Sequence, residues 1–270
     1  MPKIRLDVFL VEHKDFKSRE ESKRTIMAGL VYVDGQMVDK AGTMIKEDAE
    51  VTVKEKLCPY VSRGGLKLEK ALEYFNIDLN EKICCDMGAS TGGFTDCMLS
   101  NGSRKVYAID VGYGQLDYKL RNNSKVVNLE KTNIRYLDEN TIKDKIHFIS
   151  IDVSFISLKL ILPVAKKMLE YKGKIVCLVK PQFEAGKQDV GKNGIVRDPQ
   201  IQKRVLEEIT IFGLSIGLKP VDLTFSPIKG AKGNIEFLLL FEKDSEECEG
   251  KKDGFSAKIE KVVDNAQISF

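Results

Sequence analysis

The chain has 270 residues, of which 43% are hydrophobic and 31% are charged, and its formal net charge is +3. This composition excludes a disordered chain, and no stretch approaches the roughly 20 apolar residues of a membrane helix. The net charge is too small to indicate a nucleic-acid partner by itself, and six cysteines with two histidines and no Cys-x-x-Cys pair predict neither a disulfide scaffold nor a metal site.

The first sixty residues predict a compact unit of helices followed by a hairpin. Leu6, Phe9 and Leu10 share one face of a short helix, and a capping box at 18–21 opens a second helix that ends at Gly29. The segment 31–35, with its Asp-Gly turn, predicts a hairpin, and 50–53 alternates as a closing strand. No apolar signal region opens the chain, so we expect a cytoplasmic protein.

From residue 83 onward, predicted strands alternate with predicted helices. The strand candidates are 83–85, 106–110, 126–129, 146–153, 175–179, 221–225 and 235–241. Helices are predicted at 66–75, before Tyr171, and after the N-cap pair Asp198-Pro199. Such alternation is typical of a doubly wound α/β sheet with helices on both faces.

A glycine loop follows the first of these strands. Residues 86–96 read Asp-Met-Gly-Ala-Ser-Thr-Gly-Gly-Phe-Thr-Asp, and a strand that runs into a glycine turn and a helix receives nucleotide-like cofactors. The glycine spacing is not that of the dinucleotide fingerprint, and no Gly-Lys-Ser/Thr follows as in a phosphate loop. We therefore expect a cofactor without phosphates, with Asp110 at the end of the second strand accepting hydrogen bonds from ribose hydroxyls. The candidate cofactor-binding residues are Asp86, Gly88, Ser90, Thr91, Gly92, Gly93, Phe94, Asp110 and Val111.

The pattern Asp-x-Gly-x-Ser-x-Gly-Gly-Phe at 86–94 resembles the first motif of the FtsJ-like ribose 2′-O-methyltransferases. The resemblance implies S-adenosylmethionine as the cofactor and a Rossmann-like class I methyltransferase fold. It also implies a catalytic tetrad in the order Lys-Asp-Lys-Glu, which the chain supplies as Lys67, Asp152, Lys180 and Glu236. No metal is expected.

The residue types of this tetrad suit methylation of a hydroxyl. A ribose 2′-hydroxyl must lose its proton as it attacks the sulfonium methyl, and a lysine can accept that proton only as the neutral amine. A second cation and burial favour the neutral amine, whereas the carboxylates oppose it and fix its orientation. We predict Lys180 as the base, with Lys67, Asp152 and Glu236 orienting it and the ribose.

The N-terminal unit resembles the αL RNA-binding module found in a small-subunit ribosomal protein, tyrosyl-tRNA synthetase and pseudouridine synthases. Residues 5–7, 18–19 and 29–35 carry the resemblance. The candidate phosphate-contacting residues are Lys3, Arg5, Lys17, Arg19, Lys23, Arg24, Lys40 and Arg63. Residues 1–60 carry 11 basic and 11 acidic side chains, so only an asymmetric distribution would make a binding face. An ordinary solvated surface is the alternative.

An αL module followed by an FtsJ-like domain resembles the TlyA family. The resemblance implies 2′-O-methylation of cytidines in ribosomal RNA, of the large subunit and in some members also the small, associated with sensitivity to capreomycin-type antibiotics. We expect an RNA-binding domain at 1–56, a linker at 57–62, the methyltransferase domain at 63–242 and a charged tail at 243–270. The expected partner is ribosomal RNA in ribosomal subunits, with no obligate protein partner and no membrane.

Several alternatives remain open at this point. A methyltransferase acting on a base amino group usually has Pro-Pro-aromatic after its catalytic acid, and Val-Ser-Phe follows Asp152. An RNA-binding protein, or a hemolysin-labelled membrane-active protein, without methyltransferase activity is the rival of another class. Residues 191–197 could form a lid over the substrate or an ordinary long loop.

Overall fold

The computed structural model describes residues 3–14, 16, 18–27, 29–53, 58–138, 141–230, 232–244 and 255–270, without the side chain of Arg24. The chain separates into two compact units, Met1–Pro59 and Tyr60–Phe270. Each unit encloses its own apolar core, as expected of separate domains.

The described part of the N-terminal unit combines two helices with short strands. In chain order its elements are β1 (Lys3–Arg5), α1 (Leu6–His13), α2 (Arg19–Met27), β2 (Val31–Val33), β3 (Gln36–Val38), β4 (Met44–Lys46) and β5 (Val51–Val53). Strands β3, β2 and β5 form an antiparallel sheet, and β1 pairs with β4. The helices and the hairpin agree with the sequence pattern. The β1–β4 pair is not predictable from it, because three-residue strands show too little alternation.

Local chemistry accounts for the ends of these elements. Oγ of Ser18 accepts a hydrogen bond from the backbone N–H of Glu21 at 3.2 Å, which caps α2. Asp34 and Gly35 both have positive φ, of 50° and 78°, as a tight hairpin turn between β2 and β3 requires. The helices then bury an apolar face against β2, β4 and β5, with Leu6 and Leu10 fully buried.

The second unit contains helices and strands in alternation. Its elements are α3 (Gly64–Tyr74), β6 (Ile83–Met87), α4 (Gly93–Ser100), β7 (Lys105–Ile109), α5 (Tyr118–Arg121), β8 (Val126–Leu129), β9 (Ile146–Ile151), α6 (Leu162–Met168), β10 (Leu169–Val179), α7 (Pro181–Glu184), α8 (Pro199–Ser215), β11 (Leu218–Phe225), β12 (Phe237–Lys243) and α9 (Phe255–Ser269). Asp198 caps α8 by accepting from the N–H of Gln200, with Pro199 at the first helical position.

Within the described residues, seven strands form the sheet, in the order β11-β12-β10-β9-β6-β7-β8. Strands β6 to β10 are parallel to one another, whereas β12 runs antiparallel between β10 and β11. Side chains alternate between two apolar layers: Cys84 faces the layer built with α3 and α4, and Cys85 faces the layer built with α6, α8 and α9. The predicted doubly wound α/β fold is confirmed.

The C-terminal segment differs from the charged tail that the sequence suggested. Helix α9 contacts α8 and β11, and its residues Ile259, Val262, Val263 and Ala266 are buried in the main core. Their spacing of three, four and seven places them on one helical face, while the charged residues between them occupy the other face. Residues 255–269 therefore belong to the second unit.

Candidate active site

Five of the predicted site residues lie along one edge of the large sheet, each one position outside a strand. Gly88 follows β6, Asp110 follows β7, Asp152 follows β9 and Lys180 follows β10. These strands are parallel, so their carboxyl ends share an edge. Because β12 runs in the opposite direction, the residue that precedes it, Glu236, reaches the same edge.

The pairing register places Lys180 beside Glu236. In the antiparallel ladder of β10 and β12, Val179 is the partner of Phe237. Lys180 follows Val179 and Glu236 precedes Phe237. Their backbones are therefore neighbours just beyond the last paired residues of the ladder. Two chain segments distant in sequence thus each present a charged side chain at one point of the sheet edge.

The loop after β6 needs glycine at two of its positions. Gly88 has a φ of 89°, and a Cβ there would lie 2.5 Å from the carbonyl oxygen of Asp152. Gly92 has a φ of 93°, and a Cβ there would lie 2.3 Å from Cδ1 of Leu120. A side chain at either position would meet both backbone strain and a collision. The loop therefore passes close to the end of β9 before α4 begins.

Asp110 holds this loop from the neighbouring strand. Its Oδ2 accepts a hydrogen bond from the backbone N–H of Ser90 at 2.8 Å, and its Oδ1 accepts one from that of Gly112 at 2.7 Å. Ser90 has a φ of 48°, so the loop adopts a left-handed turn toward the carboxylate. A carboxylate oxygen accepts more than one hydrogen bond, which leaves Asp110 able to accept from hydroxyls as well.

Asp86 lies beneath the loop. It is fully buried, and its Oδ2 and Oδ1 accept hydrogen bonds from the hydroxyls of Thr95 (2.6 Å) and Ser150 (3.0 Å). Burial raises the pKa of the Asp86 carboxyl to about 7, against the lowering by these hydroxyls. Asp86 lines neither of the two cavities that open at this edge of the sheet. It braces β6, α4 and β9 together rather than facing a ligand.

Two adjoining cavities open at this edge. The smaller, of about 260 Å³, is lined by Lys67, Asp152 and Lys180 together with loop residues from Gly88 to Phe94. The larger, of about 410 Å³, is lined by Asp110, Val111, Asn133 and apolar side chains of the segment that follows β9. The two share Gly88, Ser90, Asp152 and Ser154. Gly92 lines neither, since it packs on Leu116 and Leu120.

Lys67 and Glu236 form one buried ion pair at the smaller cavity. Nζ of Lys67 donates a hydrogen bond to Oε2 of Glu236 at 2.5 Å, and the two side chains are 11% and 4% exposed. Lys67 lies on α3, outside the sheet, and the apolar face of α3 holds it there through Leu68 and Leu72. A buried charge of this kind is tolerated only with such a partner.

Lys180 and Asp152 form the second ion pair. Nζ of Lys180 lies 2.5 Å from Oδ1 of Asp152, off the line of a hydrogen bond, and it donates a hydrogen bond to Oγ of Ser154 at 2.9 Å. It also lies 5.9 Å from the ring centre of Phe183. Nζ of Lys180 thus has three neighbouring groups. Lys67, Asp152 and Lys180 line the smaller cavity, and Glu236 adjoins it through its pair with Lys67.

The structure adds residues at the site that the sequence did not single out. Ser154 lines both cavities, and Phe155 lies 88% exposed at the rim with a φ of 62°. The Phe155 ring lies 4.9 Å from that of Phe183. Glu184 fixes this arrangement, because its carboxylate accepts from the hydroxyl of Ser157 (2.6 Å) and the N–H of Leu158 (2.8 Å). A helical or strand pattern gives no signal for these loop contacts.

Some predicted RNA-contacting residues have intramolecular partners. Asp7 is fully buried, and its carboxylate accepts hydrogen bonds from Arg5 at 2.9 and 3.1 Å and from Arg19 at 2.8 Å. The guanidinium of Arg5, more than that of Arg19, lowers the pKa of the Asp7 carboxyl to about 2. Both arginines stay about half exposed, at 46% and 50%, so each keeps N–H donors for a second anion.

The other predicted RNA-contacting residues have varied positions. Lys3 and Lys40 are exposed, Lys23 is half-buried on α2, and Arg63 is exposed in the second unit. Lys17 and the side chain of Arg24 lie outside the described residues. In the part of the chain that the structure describes, no helix has the length and apolarity to cross a bilayer.

Comparison with known proteins gives matches over both units. Residues 60–243 match the family model of the FtsJ-like methyltransferase, and residues 4–51 match that of the S4 domain. Over 251 residues the chain is 51% identical to "Putative rRNA methyltransferase YqxC" of Bacillus subtilis (strain 168), covering 93% of this chain and 89% of that protein.

Two further similarities cover most of the chain. It is 40% identical over 238 residues to "16S/23S rRNA (cytidine-2'-O)-methyltransferase TlyA" of Mycobacterium tuberculosis (strain CDC 1551 / Oshkosh), covering 88% of this chain and 89% of that protein. A solved structure, "Putative hemolysin from Streptococcus thermophilus", superposes with a TM-score of 0.79 at 47% identity and covers 100% of this chain and 98% of its own.

Proposed function

Because the chain belongs to the TlyA family of FtsJ-like methyltransferases, we propose that it transfers a methyl group from S-adenosylmethionine to the 2′-hydroxyl of cytidine in ribosomal RNA. The large-subunit RNA is the expected substrate, and the small-subunit RNA is the second one to test. The observation that carries the proposal is the pair of Lys–carboxylate contacts beside the glycine loop. The expected link to capreomycin sensitivity belongs to the same proposal.

The cavities fit the proposed cofactor in size and chemistry. Together they reach the volume that small-molecule sites usually have, a few hundred Å³. Asp110 lines the larger one and can accept from ribose hydroxyls, while Val111 and Ile134 supply apolar surface for a base. The loop from Gly88 to Gly93 brings backbone close to the smaller cavity, where a compact zwitterion can be held. When bound, S-adenosylmethionine supplies an electrophilic methyl group on sulfur.

The acceptor is activated by the charged side chains. Nζ of Lys180, as the neutral amine, would take the proton of the 2′-hydroxyl as the hydroxyl oxygen bonds to the methyl carbon; the bond from that carbon to sulfur would break, and the neutral thioether would leave. Asp152 and Ser154 fix the direction of Nζ. Lys67, held by Glu236, lines the same cavity and positions the ribose. Orientation of this kind contributes as much to rate as proton transfer does.

RNA recognition is assigned to the N-terminal unit. Its S4 match supports phosphate contacts from exposed basic residues such as Lys3, Arg5, Arg19 and Lys40. Arg63 would add a contact from the second unit. The reaction would take place in the cytoplasm, where ribosomal subunits are present.

The proposal is tested on purified ribosomal subunits from cells that lack the enzyme. Large and small subunits are incubated separately with methyl-labelled S-adenosylmethionine, and the labelled nucleotide is identified by mass spectrometry of nuclease digests. We expect 2′-O-methylcytidine with the unaltered protein and with Lys145→Ala, an exposed lysine outside the site, and its loss with Lys180→Ala. Label undiminished in Lys180→Ala would overturn the assigned mechanism. No label in either subunit would favour an RNA-binding protein without transferase activity.

A further inference from the structure

A buried side-chain amide joins two loops next to Glu236. Asn234 is 2% exposed; its Oδ1 accepts a hydrogen bond from the N–H of Val196 at 2.9 Å, and its Nδ2 donates one to the carbonyl of Gly194 at 2.8 Å. The segment 191–197, which the sequence left open as a lid or a loop, is thus bonded to the turn that leads into β12. Buried side-chain amides are normally hydrogen-bonded, as Asn234 is through both its oxygen and its nitrogen.

A second buried amide extends the connection to the C-terminal helices. Gln202 on α8 is 1% exposed, and its Nε2 donates a hydrogen bond to the carbonyl of Val196 at 3.0 Å. Its Oε1 accepts one from Nε2 of Gln267 on α9 at 2.8 Å. A continuous path of hydrogen bonds therefore leads from α9 to the sheet edge, through Gln267, Gln202, Val196 and Asn234.

The turn at the end of this path packs against the Glu236 carboxylate. The N–H of Gly230 donates to the carbonyl of Asn234 at 2.9 Å, and a Cβ on Gly230 would lie 2.4 Å from Oε1 of Glu236. The Glu236 carbonyl also accepts from the N–H of Ser226 at 2.9 Å. One side of the carboxylate meets the turn, and the other meets Nζ of Lys67. A displaced turn would displace Glu236.

We infer that Asn234 and Gln202 are positioning residues, which hold Glu236 against Lys67 through the buried amide path anchored on α9. This inference rests on the proposed methyl transfer, in which Lys67 orients the ribose. The turn, the 191–197 segment and α8 are joined by these hydrogen bonds, so we expect the segment to support the turn rather than to open as a lid. Loss of one amide contact loosens the Lys67–Glu236 pair and leaves the cofactor cavities intact, because neither amide lines them.

The test compares two substitutions on the same helix. Gln202→Met keeps the length of the side chain and removes both amide contacts, whereas Gln200→Met changes an exposed residue near the start of α8. We expect Gln202→Met to lower kcat about 10-fold or more, since small displacements near reacting groups have effects of this size. KM for ribosomal subunits and Kd for S-adenosylmethionine are expected to stay within about twofold. Gln200→Met is expected to match the unaltered protein.

A double-substitution cycle separates positioning from general support. If Gln202 acts through Glu236, Gln202→Met lowers kcat in the unaltered background and has no further effect in Glu236→Gln. An equal loss in both backgrounds, or no loss in either, would overturn the inference. Gln267→Met breaks only the far end of the path and gives a milder variant if Gln202→Met unfolds; it is expected to show the same non-additivity.

Hydrogen exchange measures the connection without turnover. Backbone amides of 191–197 and 232–236 are expected to exchange faster in Gln202→Met than in Gln200→Met. Unchanged exchange would overturn the inference even if the enzyme were active. Faster exchange in a protein that labels no ribosomal subunit would instead refute the proposed function, so the two failures are distinguishable.

Discussion

Nζ of Lys67 lies 2.5 Å from Oε2 of Glu236, although the two residues are 169 positions apart in the chain. Both side chains are largely buried, so removal of either partner leaves a charge without compensation. Breaking a buried pair in this way costs about 3–5 kcal/mol, whereas replacing both partners by apolar groups costs far less. Substituting one partner or both therefore separates the contribution of the pair to stability from its contribution to activity.

The first prediction uses this difference. We expect Lys67→Met to lower the melting temperature more than the double substitution Lys67→Met/Glu236→Leu does, because only the single variant leaves an unpaired carboxylate. Methyl transfer is expected to be lost in both. Calorimetry and the labelling assay measure the two effects. Equal melting temperatures would contradict the assignment of a structural role to the pair, and full activity in the double variant would contradict its catalytic role.

A second prediction concerns the proton acceptor. Lys180→Arg retains a cation that can pair with Asp152 but stays protonated at any usable pH. We expect kcat to fall by about 10²- to 10⁴-fold, the range ascribed to general bases, with little change in cofactor affinity. Lys145→Arg, at the opposite end of β9, is the matched control and should be fully active. If Lys180→Arg keeps about a tenth or more of the normal kcat, Lys180 is not the base.

Cofactor affinity gives a third prediction. Asp110→Asn weakens acceptance from ribose hydroxyls and loosens the contacts with Ser90 and Gly112. Hydrogen bonds to charged groups are worth about 1.5–3 kcal/mol, so Kd for S-adenosylmethionine should rise about 10- to 100-fold. Isothermal titration calorimetry measures it, with Glu73→Gln on the exposed side of α3 as the control. Unchanged affinity in Asp110→Asn would place the adenosine elsewhere.

The buried carboxyl of Asp86 predicts a pH dependence of stability. Its pKa is raised from 3.8 in the unfolded chain to about 7 in the folded one, so the folded state keeps a proton that the unfolded state releases. The contribution of Asp86 to stability is therefore full below the unfolded value and is lost as the pH rises to about 7. The melting temperature of the unaltered protein minus that of Asp86→Asn should fall across this window. If the difference in melting temperature were constant, Asp86 would be ionised in the folded protein across this whole pH window.

Asp7 predicts the opposite slope in the N-terminal unit. The arginine contacts lower its pKa from 3.8 to about 2, so its contribution is present above 3.8 and is lost as the pH falls toward 2. Because the arginines are half exposed, we expect only about 1–2 kcal/mol. Hydrogen exchange in α1 measures it, and the protection lost in Asp7→Asn should shrink as the pH is lowered. Equal protection in the two proteins at neutral pH would contradict the prediction.

The sequence was sufficient to predict the sheet edge that Asp152 and Lys180 share. Asp152 and Lys180 each follow an apolar run, and strands of a parallel sheet end at a common edge, so their proximity could be predicted. Glu236 precedes its strand, and only the FtsJ-like resemblance connected it with Lys67. The tetrad's catalytic roles and the RNA contacts of the N-terminal unit stay predictions.

Other features could not be obtained from patterns. Asp86 adjoins the glycines in sequence, but it belongs to β6, opposite Ala108 and Ser150, and pleating turns its side chain into the interior. Asn234 and Gln202 look like surface amides in the sequence, because their burial depends on which loops meet in three dimensions. The core role of α9 was missed because a charge-rich segment precedes it.

The position of β12 has a consequence for biosynthesis. The chain leaves the ribosome from its N-terminus, so β10 and β11 emerge before the strand that separates them. Until β12 enters between them, both present open edges, which are the places where strands of different chains can pair wrongly. The residue before β12 is Glu236, so Lys67 acquires its partner only when this last strand is inserted. The Lys67–Glu236 pair and the junction of β10 with β11 are therefore both completed by β12.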